Sequence, residues 1–186
     1  MFGVWGAFQD NGRCYAIAEP VRQQRAALHG GRLARDERMV AAKDRELKLV
    51  RRFSAKPEQV FRAFADPRRL VRWWGPKGIT IPVCEMDVRP GGRWLTVMRA
   101  PDGSDMTVSG VYREVSPDQK LVFTWAWRST PERESLVTVH LKADGDHTIM
   151  TFTHEQFFDQ EARDRHEHGW TGSFVKLEAH LQHKSG

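Results

Sequence analysis

His154 and His166 are the side chains best suited to acid–base chemistry in this 186-residue chain. His154 shares strand parity with Met150 and Phe152 near the end of an alternating run, and His166 stands one helical turn before Trp170. Both can therefore point toward one place, where an imidazole titrating near neutrality can orient a ligand or move a proton. The plainer reading, hydrogen-bonded structural or surface histidines, is favoured. A metal centre is not expected. His154-Glu155-Gln156-Phe157-Phe158 lacks the second histidine of HExxH, and His166 and His168 are two apart, so a helix splays them. Glu155 and Glu167 join a ligand set only by tertiary accident, and no cofactor is expected. Pro90-Gly91-Gly92 lacks the GxGxxG spacing and reads as a hairpin turn, and no GxSxG elbow occurs.

Large rings surround these histidines in the sequence. Phe123, Trp125 and Trp127 alternate, so they share one face of a strand while Thr124 and Ala126 take the other. Six of the seven tryptophans lie between Trp73 and Trp170. Each ring hides roughly 150–250 Å² when buried, so the rings either fill a core or line a cavity. Trp94 shares parity with Met98. Met98, Phe123, Trp125, Met150 and Phe152 would surround Trp170 and Phe174 if both sets of strands face the last helix.

The elements that must position these groups can be read in order. A first strand runs from Glu46 to Phe53. Pro57 and Glu58 open a helix with Val60, Phe61, Phe64 and Ala65 on its apolar face. Asp66-Pro67 starts a second short helix whose buried candidates are Leu70, Val71, Trp73 and Trp74, and Gly75-Pro76 stops it. Two adjacent tryptophans on one short helix are not expected to face inward together, so one should be partly exposed as a lid or partner anchor. Ile79–Val88, broken at Pro82, reads as an edge or bulged strand. Five further strands follow, each entered through a Gly-, Pro- or Asp-containing turn, which predicts an antiparallel meander. From about Asp159 to His183, Trp170, Phe174, Leu177 and Leu181 mark one face of a long helix. The fold class is α+β, a curved sheet wrapped on the final helix.

Composition removes other classes. No apolar run approaches the ~20 residues of a membrane-spanning helix, so no membrane partner is expected. Cys14 and Cys84 are the only cysteines, which excludes a disulfide framework and suits a reducing cytoplasm. Of the net charge of +5, residues 1–45 carry +3 (eight basic, five acidic), leaving +2 for the other 141. That balance argues against a nucleic-acid face. Residues 1–45 read as a disordered or loosely helical extension, with Met39 as a candidate start, and 46–183 as the domain.

These motifs resemble a known family. Asp66-Pro67 with Trp73-Trp74-Gly75-Pro76, Asp87-Val88-Arg89-Pro90-Gly91-Gly92-Arg93-Trp94 and Gly110-Val111-Tyr112-Arg113-Glu114-Val115 occur in the family order. So do Lys120-Leu121-Val122-Phe123-Thr124 and His166-Glu167-His168-Gly169-Trp170. The chain is similar to the activator-of-Hsp90-ATPase-homologue-like proteins of the START/Bet v 1 (SRPBCC) superfamily, over roughly 46–182. The resemblance implies a helix-grip fold: about six to seven antiparallel strands around a long C-terminal helix, with two short helices after the first strand. It also implies an apolar cavity between sheet and helix. Hsp90 stimulation belongs to larger eukaryotic proteins and does not follow from this domain alone.

One function leads the expectations, and two alternatives stand beside it. The first is non-catalytic binding of a small hydrophobic or aromatic ligand by Trp73, Trp94, Met98, Tyr112, Phe123, Trp125, Trp127, Met150, Phe152, His154, His166, Trp170 and Phe174. The second is a cyclase- or hydrolase-like enzyme using a pocket histidine. The third is a chaperone-related interaction module anchored by Trp73 or Trp74. A homodimer is compatible with each.

Overall fold

In the computed structural model, residues 45–182 are described. The expectations on an N-terminal extension, the Met39 start and Cys14 fall outside them. Strand β1 (Leu47–Phe53) buries Leu47, Leu49 and Phe53 and exposes Lys48 and Val50, as alternation requires. Helix α1 (Pro57–Ala65) begins with proline at a position where no N–H is needed, and the Lys56 N–H is taken by Gln59 Oε1 at 3.0 Å. Asp66 ends α1 and caps α2 (Pro67–Leu70), its carboxylate accepting the Arg68 N–H at 2.9 Å.

Six strands follow: β2 (Thr80–Met86), β3 (Arg93–Arg99), β4 (Asp105–Ser116), β5 (Lys120–Trp127), β6 (Ser135–Asp144) and β7 (His147–Glu155). The chain closes with α3 (Gln160–Gln182). All seven strands form one antiparallel sheet in the order β1-β7-β6-β5-β4-β3-β2. The meander and the edge position of β2 match expectation, and the register of β2 shifts between Thr80 and Val83, around Pro82. The fold is thus the helix-grip α+β arrangement, with Trp170, Phe174, Leu177 and Leu181 of α3 buried.

One place in the sheet departs from simple alternation. On the face of β5 expected to be outer, Val122 is buried and so is Thr124. Its Oγ1 accepts the Val111 N–H at 3.0 Å, and its carbonyl accepts the Trp94 indole N–H at 3.2 Å. This close approach requires Gly110. A Cβ there would lie 1.8 Å from the Thr124 carbonyl oxygen and 2.7 Å from Trp94 Nε1.

Candidate functional site

The inner face of the sheet, the segment from α1 through Trp74 and the buried face of α3 together enclose the aromatic cluster. Trp74 is its hub. Its ring lies 5.2 Å from Trp170, 5.3 Å from Trp73, 5.8 Å from Trp125 and 6.1 Å from Trp94 between centroids. The expectation that Trp73 or Trp74 is partly exposed is wrong: they are 0% and 3% exposed. The helix ends at Leu70, so the two rings leave a turn rather than neighbouring helical positions. Trp73 then packs on Phe64 and Phe174, with its N–H on the Ala63 carbonyl at 3.0 Å, and Trp74 packs on the sheet. Lys176 ties this turn to α3 by donating to the carbonyls of Gly75 (3.0 Å) and Trp74 (3.3 Å), and burial lowers its pKa. An interaction module anchored on either ring loses its exposed anchor.

The stripe on β5 faces inward along most of its length. Phe123 and Trp125 are buried, and Trp127 is partly exposed. Phe152, Trp170 and Phe174 touch one another at 4.5–5.7 Å between centroids. Met98 and Met150 are fully buried in the same core. Rings meet rings, so most of the space in which the resemblance implies a cavity is filled. A void of about 10 Å³ remains, lined on one side by Trp94, Thr96, Tyr112 and Phe123 and on the other by Phe64, Leu70 and Trp74. Burial, with a smaller contribution from Cys84, raises the Tyr112 hydroxyl pKa above its ordinary value, so this phenol is neutral. Cys84 is itself pushed up to about 11 by burial, an unreactive thiol.

Two residues lining this void carry a polar atom, Trp74 Nε1 and Thr96 Oγ1, that is buried with no hydrogen-bond partner among the described residues. Thr96 was not anticipated, although it sits between Trp94 and Met98 at their parity, where a polar residue on an apolar strand face is the available signal. Trp125 Nε1 is also buried and unpartnered.

The histidines are satisfied. Trp170 Nε1–H donates to His154 Nδ1 at 3.1 Å, which places the imidazole proton on Nε2. That N–H donates to Ser135 Oγ at 2.8 Å, and the hydroxyl in turn donates a hydrogen bond to the Trp125 carbonyl at 3.2 Å. Ser135 and His154 are thus a serine–histidine contact running in the direction opposite to a hydrolase pair: the ring donates to the hydroxyl and has no lone pair to take its proton. In His166, Nδ1–H donates to the Ala162 carbonyl at 2.7 Å, and Nε2 accepts the Trp127 indole N–H at 3.2 Å. Burial, then the neighbouring His166, holds His154 well below the ordinary histidine range. Burial lowers His166 to about 4, opposed by the bond to Ala162 and assisted by Arg165. The two rings lie 5.0 Å apart, edge to face, as neutral members of the aromatic cluster. The structure thus brings His154 and His166 together as expected, but their lone pairs are engaged by tryptophans. Ser135, whose place in this chain of bonds nothing in its neighbours signals, was not anticipated.

Among the described residues, no three His, Cys, Asp or Glu side chains are placed to hold a metal ion, and no helix is long and apolar enough to cross a membrane.

Comparison with known proteins accords with this architecture. An AHSA1 protein from Silicibacter pomeroyi has a solved structure 35% identical to this chain, with a TM-score of 0.66, covering 74% of this chain and 97% of that one. A protein from Chromobacterium violaceum is 28% identical, with a TM-score of 0.67 and coverage of 73% and 96%. Another from Nitrosomonas europaea is 27% identical, with a TM-score of 0.67 and coverage of 77% and 97%. No curated protein matches the chain. The family described as Activator of Hsp90 ATPase homolog 1-like protein matches residues 54–182, from the residue after β1 to the end of α3. By that match, and by the helix-grip fold it accompanies, the chain belongs to the Activator of Hsp90 ATPase homolog 1-like family.

Proposed function

We propose that this domain is a non-catalytic binder of a small, mainly apolar molecule that carries a hydrogen-bond acceptor. The observation that carries the reading is the orphaned pair Trp74 Nε1 and Thr96 Oγ1, both buried and both on residues lining the same void. A buried donor without a partner costs about 1–3 kcal/mol, so a molecule that supplies an acceptor there recovers that cost on binding. The surrounding rings supply apolar contact worth roughly 25 cal/mol per Å² of ligand surface removed from water.

At about 10 Å³ the void holds a water at most, since one probe-sized site needs about 10–15 Å³. A larger ligand therefore enters by displacing part of the wall. One such wall segment is β2, an edge strand that contributes Met86 to the void and is paired only with β3. The compartment proposed is a reducing cytoplasm, in keeping with Cys84 being the one cysteine among the described residues.

A thermal-shift panel of phenols, indoles, aromatic ketones and fatty acids tests this reading. At least one acceptor-bearing aromatic is expected to raise the midpoint. Thr96→Val should weaken that ligand by about 3–10-fold, the worth of one neutral hydrogen bond, and Trp74→Phe likewise. Binding that is equal in wild type and both variants refutes the role of the orphaned pair. A midpoint unmoved by the whole panel refutes the ligand reading.

A further inference from the structure

A second concavity lies outside the aromatic core. Asp66, Arg68, Arg69, Arg72 and His180 line a surface cleft of about 430 Å³, within the size range of small-molecule sites. Its charge is one-sided: three guanidiniums face one carboxylate.

The carboxylate is already engaged. Asp66 caps α2 through the Arg68 backbone N–H and meets Arg69 Nε at 3.4 Å. Arg68 and Arg72 form no ion pair among the described residues, in contrast to Arg99, whose Nε and Nη2 meet both oxygens of Asp105 at 2.7 and 2.8 Å. Helical turns hold the three arginines together. Leu70 N–H bonds the Asp66 carbonyl, Val71 that of Pro67 and Arg72 that of Arg69, so positions 68, 69 and 72 fall on neighbouring ridges. Like charges crowded at this spacing repel unless a counter-charge lies between them. His180, from the last turn of α3, adds an imidazole to the same wall.

We propose that this cleft is a phosphate-binding site, taking the dianionic group of a phosphorylated small molecule through the guanidiniums of Arg68 and Arg72, with Arg69 held alongside by Asp66. Planar guanidiniums present paired N–H donors that match phosphate oxygens. Two guanidiniums left without a carboxylate match a dianion in charge. The site is separate from the aromatic void and does not depend on the ligand reading given for it. The same chemistry is offered by a soluble phosphate compound and by a phosphomonoester lipid headgroup.

Calorimetric titration of the full chain with inorganic pyrophosphate, and co-sedimentation with phosphatidylcholine vesicles with and without phosphatidic acid, tests the proposal. Saturable pyrophosphate binding that weakens at least about tenfold in Arg68→Gln/Arg72→Gln supports a soluble ligand, since each lost charge-assisted bond carries more than a neutral one. Binding to phosphatidic acid vesicles alone, lost in the same double variant, supports a headgroup. Arg99→Gln, away from the cleft, should leave either binding unchanged. No saturable binding to either probe overturns the proposal, as does equal binding by wild type and double variant.

Discussion

Acidification from about pH 7.5 to pH 5 should destabilise this domain through its two buried histidines, before most carboxylates titrate. His166 titrates at about 4 in the folded chain against 6.5 for an ordinary histidine. His154 is also held well below 6.5. Both folded values are depressed, so between the folded and ordinary values the unfolded chain binds protons that the native chain excludes. The stability is fully present above about 6.5 and falls as the pH drops toward the folded values. Each histidine changes the balance by ~1.4 kcal/mol per pH unit, so His166 alone costs about 3 kcal/mol by the time its folded value is reached. That is a large share of the roughly 5–15 kcal/mol typical of a domain, and His154, also held low by burial, adds a loss of the same sign. Asp105, Asp144 and Glu114 are held low by hydrogen bonds from Arg99, Arg52 and Lys120, so their contributions are lost only at still lower pH. Urea unfolding followed by tryptophan fluorescence at closely spaced pH values measures the slope, with stability falling as the pH falls. His166→Gln retains an acceptor for Trp127 but does not titrate, and should reduce the slope. Stability that is flat across this interval refutes the reasoning, and so does a slope that His166→Gln leaves intact.

Three further outcomes follow from packing and hydrogen bonding. Gly110→Ala places a methyl 1.8 Å from the Thr124 carbonyl oxygen and should cost at least ~3 kcal/mol in chemical denaturation, through loss of the Trp94–Thr124 bond and local repacking. Ser135→Ala leaves the His154 Nε2–H without its acceptor and should cost about 1–3 kcal/mol by the same measurement. Cys84, with its pKa pushed from 9.0 to about 11, should react with iodoacetamide about a hundredfold more slowly than an ordinary thiol near pH 8, read by mass spectrometry of the modified peptide.

Much of the fold was legible along the chain because it rests on short-range periodicity. Alternation at Leu47 and Leu49, the Asp66-Pro67 start of α2, the Pro82 break in the edge strand and the four-three-four spacing from Trp170 to Leu181 each reflect how one backbone segment presents its side chains. That Phe123 and Trp125 share one face followed from parity alone, and the packed structure turns that face inward. Thr124 escaped the same rule because a close approach at Gly110, set by a neighbouring strand, buries it from the other side.

The candidate site was legible in membership but not in state. Sequence placed His154, His166 and the aromatic residues near one another, yet it could not tell an open lone pair from an occupied one. The deciding partners are tryptophans 16 and 39 residues away, and a hydrogen bond exists only when both ends meet within a few tenths of an ångström. For the same reason local spacing misjudged Trp73 and Trp74: a helix that stops at Leu70 lets the turn bury both rings. Sequence alone determined the order of elements, which residues share a face and the family, all of which are carried by local pattern. Tertiary structure decided that the rings fill most of their own space, that the histidines are neutral acceptors and that Thr96 and Trp74 are left facing one small void. Those outcomes depend on how volumes from distant segments close together, and periodicity carries no information about the gaps they leave.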